Sequence, residues 1–196
     1  MAKRRASIER KTKETDIALT LDLDEAGAVS ISTGVGFLDH MLDHVGRHGL
    51  LGLTVKATGD QHIDDHHTVE DVGICLGEAL AKALGAKKGI RRFGSASVPM
   101  DDALADVAID LSGRAACVCN IPFTEAKVGS FDVELVEEFL RALANSAKLN
   151  LHVNVRYGRN NHHMAEAVFK ALARALSDAV RIDERVKGVP STKGTL

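Results

Sequence analysis

Residues 65–71 read DHHTVED, and residues 161–167 read NHHMAEA. Both stretches contain His-His-x-x-Glu, the two copies lie 96 residues apart (162 − 66), and each opens an apolar stretch of helical character. On a helix, residues i and i+4 share a face, whereas adjacent residues point about 100° apart. Adjacent histidines therefore cannot easily bind one metal ion together, yet they can bind two. Because histidine and glutamate are good ligands for divalent transition metals, the motif predicts a two-metal site built from both halves of the chain.

The repeat extends beyond the histidines, which indicates an internal duplication. Apolar residues with the helical period, or with the alternating period of a strand, recur in the same order in both halves. The matching sets are 37–45 with 135–143, 51–57 with 149–155, and 17–23 with 105–111. A segment bounded by glycines, 85–89, ends the first half.

Each half is predicted to run strand–strand–strand–helix–strand–helix. We expect strands near 5–12, 15–23, 28–33 and 51–58, and helices near 36–48, 64–84, 132–146 and 160–181. A four-stranded sheet with two helices on one face forms an αβ sandwich, and two such sandwiches can pack helix against helix. The expected fold is therefore α+β, with a first αβ repeat in 1–90 and a second in 91–196, together one compact domain.

The composition limits the classes of function. A net charge of −2 gives no global attraction to nucleic acid or to an anionic membrane, and no apolar run approaches the roughly 18 residues of a membrane span. Six of the first 13 residues are Lys or Arg, for which a solvated, partly frayed terminus is favoured over a nucleic-acid arm. The three cysteines include no CxxC pair, which favours reduced thiols in a cytoplasmic protein. Cys117 and Cys119 are interpreted as packing residues on one side of a strand, and Cys75 as part of a helix.

The nine histidines are clustered. His40, His44 and His48 lie at i, i+4 and i+8 and so share one helix face, at the edge of an apolar stripe. His152 alternates with apolar residues on a predicted strand and faces away from them. The alternative to metal binding is two solvated helix N-termini, with Asp65 and Asn161 as N-caps. That alternative explains the acidic residues but not the paired imidazoles, which should be neutral near a helix N-terminus.

Three segments combine a cation or hydroxyl with a glycine, as phosphate sites do. They are Arg91–Gly94, Ser112–Arg114 and the carboxy-terminal Pro190–Gly194. None matches a P-loop, and turns or a solvated tail explain each of them equally well.

Taken together, these segments resemble the imidazoleglycerol-phosphate dehydratase family, in order and over nearly the whole chain. The resemblance rests on RKTKET (10–15), GVGFLDHMLDHVGRHG (34–49), GDQHIDDHHTVEDVGICLGEAL (59–80), RRFG (91–94), DLSGR (110–114), NHHMAEAVFKALARAL (161–176) and STKG (191–194). It implies a ribosomal protein S5 domain 2-like fold with helices inside and sheets outside. It also implies the monofunctional form of the enzyme, a 24-subunit homo-oligomer with active sites at subunit interfaces, and a C-terminal tail that binds phosphate.

The resemblance further implies two Mn²⁺ ions per active site. One ion would be bound by His40, His67, His162 and Glu166, and the other by His66, Glu70, His152 and His163. The implied substrate contacts are Glu14, His40, His48, His66, His67, Glu70, Arg92, Arg114, His162, Ser191 and Lys193. Glu14, His48 and Glu166 are the candidates for proton transfer, with Glu166 or Glu14 favoured. The chain departs from the family at His44, where Gln is common, and at Asp102, where Glu is common.

The implied reaction is a step of histidine biosynthesis catalysed by a metal-dependent carbon–oxygen lyase. It dehydrates D-erythro-imidazole-glycerol phosphate to imidazole-acetol phosphate. The proton that leaves sits on a carbon with no adjacent carbonyl, so the imidazole ring is the only group that can accept electrons. A metal-bound imidazolate followed by a diazafulvene-like intermediate would solve this problem.

Two other functions stay open on the residues alone. A dinuclear metallohydrolase would need bridging carboxylates, which Asp64, Asp65 or Asp71 could provide. A non-enzymatic metal-storage protein would need the histidines but not Arg92 or Lys193.

Overall fold

The computed structural model describes residues 3–194 and orders them as two halves with the same succession of elements. The first half contains β1 (Arg5–Lys11), β2 (Thr15–Asp22), β3 (Val29–Ser32), α1 (Gly36–Gly49), β4 (Gly52–Gly59) and α2 (His66–Leu84). The second half contains β5 (Phe93–Met100), β6 (Ala103–Asp110), β7 (Ala116–Asn120), β8 (Lys127–Val128), β9 (Phe131–Asp132), α3 (Glu134–Ala147), β10 (Asn150–Tyr157) and α4 (Asn161–Val180).

The two four-stranded sheets have the same topology. Their strand orders are β1-β2-β4-β3 and β5-β6-β10-β7, and in each the outer strand at the second edge, β3 or β7, pairs in parallel with its neighbour. Strands β8 and β9 form a separate two-stranded hairpin. The shared order confirms the predicted duplication of a four-stranded sheet with two helices.

The core lies between the sheets, where the helices of the two halves meet. Helix α2 packs on β1 and β2 of its own sheet and on α3, while α4 packs on β5 and β6 and on α1. The alternating residues that face inward are fully buried, for example Leu19 and Leu21 on β2 and Leu151 and Val153 on β10. Each such leucine contributes about 1.5–3 kcal/mol through burial. The α+β prediction, with halves packed helix to helix, is confirmed.

Close approach of α4 to its sheet depends on one glycine. A Cβ atom on Gly94 of β5 would overlap the backbone of Ala175 and Ala179 on α4. Any side chain there would push the helix off the sheet, and with it the N-terminal end of α4.

The helix and strand bounds predicted from periodicity agree with the structure to within two residues. The β8–β9 hairpin was not predicted, because two-residue strands are too short to show a period. The basic amino-terminal segment is not frayed from residue 5 onward. Instead, it forms β1, and Arg10 and Lys11 there pair with Asp71 and Asp16 at 2.9 and 2.6 Å. Within residues 3–194, no helix is long and apolar enough to span a membrane.

Candidate functional site

The N-terminus of α4 is capped by a residue that was not predicted. The Asn160 side-chain oxygen accepts hydrogen bonds from the amides of His162 and His163, at 2.8 and 3.4 Å. The predicted cap, Asn161, is wrong, because the helix begins there and its buried side chain instead accepts from Thr124 and donates to a backbone carbonyl. The cap binds the backbone amides of both histidines of this copy and so fixes where the helix begins.

In α2, too, the side chain of the predicted cap makes no hydrogen bond to the backbone amides of the helix. The Asp65 side chain makes no capping hydrogen bond, and the Asp64 carboxylate accepts from the His66 amide at 2.8 Å. Both copies of the motif therefore begin at an N-terminus whose first amides are bound by a residue upstream of the predicted one.

Three predicted metal ligands come together where α1 meets the start of α4. Nitrogen atoms of His40 and His162 lie 3.3 and 3.1 Å from Oε2 of Glu166, and one ligand atom from each residue lies within 4.8 Å of the others. Ligands bound tetrahedrally at about 2.1 Å from an ion would lie about 3.4 Å apart, so this spacing suits a transition metal. We call His40, His162 and Glu166 the three-ligand cluster.

The second oxygen of Glu166 faces a lysine. Nζ of Lys170 lies 2.5 Å from Oε1, and Nε2 of His44 lies 3.3 Å from the same atom without the geometry of a hydrogen bond. Burial acts to raise the pKa of Glu166, but the hydrogen bond from Lys170 and the nearby positive charges outweigh it and lower that pKa to about 2. The carboxylate is thus ionised at neutral pH.

His44 is the most perturbed imidazole of the site. Burial lowers its pKa to about 4, against the opposing effect of Glu166, so the ring is neutral at neutral pH. Lys170 is therefore the cation that balances Glu166. His40, His44 and His48 follow one another along α1, with ring centroids 4.5 and 5.3 Å apart, which confirms their predicted common face.

The remaining predicted ligands do not join the three-ligand cluster within one chain. His67 lies at the start of α2, where its Nδ1 donates a hydrogen bond to Asp60 at 3.0 Å, which raises the pKa of the imidazole. His163 binds Asp102 at 2.5 Å, and this bond lowers the pKa of the Asp102 carboxyl to about 2. In both copies, the adjacent rings point apart, with centroids 6.0 and 6.3 Å from each other.

His152 lies on the outer face of the second sheet. It is exposed, opposite Val118 of β7 in the strand register, and lines an open pocket of about 530 Å³. His66 and Glu70 are half-buried at the start of α2. No second group of three ligand atoms forms among residues 3–194.

Three of the predicted substrate-binding residues, Arg92, Ser191 and Lys193, lie at the other end of α4. The Arg92 guanidinium donates to both oxygens of Asp110, at 2.7 and 3.0 Å, and to the Pro190 carbonyl at 2.8 Å. This contact draws the tail that carries Ser191 and Lys193 to the edge of β5. The backbone amide of Arg92 binds the carbonyl of Ala179, near the last turn of α4.

This end of the helix is far from the three-ligand cluster. Glu166 and Ala179 are 13 residues apart on α4 (179 − 166), which corresponds to about 20 Å along the axis. Arg114 is exposed in the turn before β7, and Glu14 is exposed in the turn between β1 and β2. One chain therefore holds the predicted site residues in several separate places.

A sequence model of the imidazoleglycerol-phosphate dehydratase family matches residues 33–176. The chain belongs to the imidazoleglycerol-phosphate dehydratase family. The dehydratase of Geobacillus kaustophilus is 62% identical over 193 residues, which cover 98% of this chain and 99% of the relative. That of Granulibacter bethesdensis is 60% identical over 194 residues, with 98% and 99% covered.

Solved structures of the imidazoleglycerol-phosphate dehydratase family have the same fold. The crystal structure of the Staphylococcus aureus enzyme gives a TM-score of 0.84 at 40% identity and covers 91% of this chain and 99% of that one. The Pyrococcus furiosus enzyme in complex with (S)-C348 gives 0.82 at 39% identity, with 96% and 100% covered.

The sequence analysis did not predict the side chains that contact the predicted metal ligands Glu166, His67 and His163. Lys170 could have been found, because it lies four residues after Glu166 on the same helix face. Asp60 and Asp102 gave no signal, because their contacts with His67 and His163 arise from loops and tertiary packing.

Proposed function

We propose that this chain is an imidazoleglycerol-phosphate dehydratase, a hydro-lyase of histidine biosynthesis. It would convert D-erythro-imidazole-glycerol phosphate to imidazole-acetol phosphate. The observation that carries the proposal is the 62% identity to a named dehydratase over 98% of the chain. The three-ligand cluster agrees with this proposal. Imidazole suits transition metals as a ligand, and a metal ion held mainly by neutral histidines would stay electrophilic enough to bind the imidazole of the substrate as a further ligand.

We further propose two divalent ions, taken to be Mn²⁺ from the family resemblance. His40, His162 and Glu166 would hold one ion together with His67, and the second ion would be held by His66, Glu70, His152 and His163. When bound, the ions would act as Lewis acids that draw electron density from the substrate ring. The chain's own contribution is to keep Glu166 ionised through Lys170 and to keep the neighbouring His44 neutral through burial.

The electrostatics separate the three candidates for proton transfer. A carboxyl with a pKa of about 2 that is bound to Lys170 is a weak base, which assigns Glu166 to ligation. Partial burial and the charges of Lys170 and Arg174 lower the pKa of His48, so its ring is neutral and able to accept a proton. Glu14 is the exposed alternative, in the turn beside Asp60. Proton transfer is therefore proposed for Glu14 or His48.

The distance along α4 requires more than one chain per site. A substrate made of one imidazole ring, three carbons and one phosphate cannot extend about 20 Å from the three-ligand cluster to Arg92 and the tail. We therefore propose a homo-oligomer in which one subunit supplies the metal ligands and another supplies Arg92, Ser191 and Lys193. The 24-subunit shell implied by the family resemblance is the proposed form.

The activity test uses metal-stripped protein with and without Mn²⁺. We expect turnover of imidazole-glycerol phosphate only with the ion, and none in a His66→Ala variant. Folded, metal-loaded protein without turnover would refute the proposal.

The assembly test uses two inactive variants, Glu166→Gln and Arg92→Ala. If sites form between chains, co-expression of both variants restores part of the activity, because some sites combine the intact Arg92 of one chain with the intact Glu166 of another. A control pairs the double variant with Arg92→Ala and should stay inactive. Activity no greater than the sum of the separate variants would show that each site lies within one chain.

The structure gives the hydrolase alternative little support. Both oxygens of the Asp71 carboxylate are already bound, by Arg10 at 2.9 Å and Thr15 at 2.6 Å, and Asp64 binds the His66 amide. A Lys193→Ala variant distinguishes the dehydratase from a metal-storage protein. If the chain is a dehydratase, this variant should have a raised KM and an unchanged metal content. If the chain only stores metal, the substitution should leave that function intact.

A further inference from the structure

Two cysteines lie together outside the proposed catalytic site. Cys117 and Cys119 are on β7, an edge strand of the second sheet, and their sulfur atoms are 3.6 Å apart. Both side chains face inward, because their register partners on β10 are the buried Leu151 and Val153. Both are half-buried rather than enclosed, so a small ion can reach them.

The spacing of the two sulfurs distinguishes between a disulfide and a bound ion. A disulfide needs a sulfur–sulfur distance of about 2.05 Å and Cα atoms usually about 5.5–6 Å apart. Residues i and i+2 of one strand have Cα atoms about 6.6 Å apart, near the upper limit for a bridge. Two thiolates on a tetrahedral ion, each at about 2.3 Å, lie about 3.8 Å apart. The observed 3.6 Å is close to the second arrangement and far from the first.

The charges around the pair agree with binding of a cation. The hydrogen bond between the sulfurs lowers the pKa of Cys117 and raises that of Cys119, so Cys117 loses its proton more easily and the proton of Cys119 leaves when a cation replaces it. Arg141 and Glu137 of α3 act on both thiols, and they bind each other at 2.6 Å. Glu137 is thus a carboxylate of the facing helix whose charge acts on both sulfurs.

We propose that Cys117 and Cys119 form a two-sulfur site for one thiophilic divalent cation of the zinc and cadmium class. The ion lies between β7 and α3, displaces one proton from each thiol and changes no oxidation state. Water or Glu137 fills the remaining positions of its tetrahedral shell. The site shares no residue with the proposed manganese sites, so its success or failure leaves the dehydratase proposal unaffected.

The test is a Cd²⁺ titration of the full, Mn²⁺-loaded chain, followed by the ultraviolet absorbance of the thiolate-to-cadmium charge transfer. Histidine and carboxylate ligands do not give this band, so exchange at the manganese sites is not seen. We expect one Cd²⁺ per chain. Cys117→Ser and Cys119→Ser should each weaken binding by about 10-fold or more, since a direct ligand contributes at least as much as its supporting partners.

The matched control is Cys75→Ser, which removes a buried thiol of α2 and should leave the band unchanged. Equal bands in all three variants, or a band lost only with Cys75, would overturn the proposal. If a serine variant does not fold, alkylation of the wild-type chain gives the answer. Cd²⁺ should protect Cys117 and Cys119 together, as mapped by mass spectrometry, and unprotected alkylation of both would overturn the proposal.

Discussion

The two helix–helix contacts between the halves are built on different principles, although the halves share one fold. In the α2–α3 contact, a Cβ atom on Gly77 would lie 2.7 Å from the Leu143 carbonyl, so the two backbones nearly touch. In the α1–α4 contact, the space is filled by Glu166, Lys170 and His44. The two halves share one scaffold, but of these two contacts the α1–α4 contact is the one that contains Glu166 paired with Lys170.

The difference between the two contacts follows from the side chains at equivalent positions of the two halves. The three α1 histidines have Glu138, Ala142 and Ser146 as their counterparts on α3, and Lys170 of α4 has Ile74 of α2. Small side chains allow α2 and α3 to approach closely, whereas imidazoles and a lysine hold a carboxylate in place. The His-His-x-x-Glu motif is shared, so the surroundings and not the motif decide which copy forms the three-ligand cluster.

The largest expected effect comes from removing the cation of the α1–α4 contact. Lys170→Met leaves the Glu166 carboxylate buried without a partner, which should lower the free energy of unfolding of metal-free protein by about 3 kcal/mol. Ile74→Met at the equivalent position of α2 should cost less than about 1.5 kcal/mol. Urea unfolding measures the free energy of unfolding of both variants. Saturating Mn²⁺ should reduce the difference between their losses of stability. Equal losses in the two variants would contradict the comparison.

Acid should weaken the same contact through His44. Its pKa is 6.5 in the unfolded chain and about 4 in the folded one, so the unfolded state binds more protons between these values. Stability of metal-free protein therefore falls as pH decreases through this window, by about 3 kcal/mol. In a His44→Gln variant this loss should disappear. Parallel stability curves for the two proteins would refute the role given to His44.

A smaller effect is expected from the α2–α3 contact. Gly77→Ala gains about 1 kcal/mol of helix propensity, but crowding against Leu143 and Ser146 costs about 2 kcal/mol. The net destabilisation should be about 1 kcal/mol, measured by thermal unfolding. Glu78→Ala, an exposed neighbour on the same helix, should change stability by less than about 0.5 kcal/mol. Stabilisation by Gly77→Ala would show that the contact is looser than described.

The smallest effect concerns how each copy holds its second histidine. Asp60 lies seven residues before His67, whereas Asp102 lies 61 residues before His163. Asp60→Asn should lower the pKa of His67, because the hydrogen bond that the imidazole donates to that carboxylate is the main cause that raises it. An NMR titration reports the change. Asp64→Asn, which acts on His67 only through its charge, should lower the pKa less.

Most of the fold could be predicted because periodicity is a local property. The alternating runs on β2 and β6, and the helical runs on α1 and α3, determine which face is buried, and the repeat determines the topology of the second half. The β8–β9 hairpin and the helix caps could not be predicted in this way. They depend on single contacts, such as Asn160 with the amides of His162 and His163.

The site was less predictable than the fold. The spacing of His162 and Glu166 indicated a shared ligand face, and the common face of the α1 histidines was correct. That His40 would join them depends on the packing of α1 against α4, which no local pattern encodes. All the predicted ligand roles stay predictions. Five of these residues lie apart from the three-ligand cluster within one chain, and only the proposed contacts between chains would complete their sites: His66, His67, Glu70, His152 and His163.

The length of α4 has a consequence for how the enzyme would respond to dilution. Because the proposed metal ligands His40, His162 and Glu166 and the proposed phosphate-binding residues lie at opposite ends of α4, a dissociated chain would carry two unfinished halves of different sites. Specific activity would then depend on total protein concentration and decrease progressively as the protein is diluted below the dissociation constant of the oligomer. The fraction of active sites would thus be set by the association equilibrium between chains. A ligand or solution condition that shifts this equilibrium would activate or inhibit the enzyme without contacting a catalytic residue.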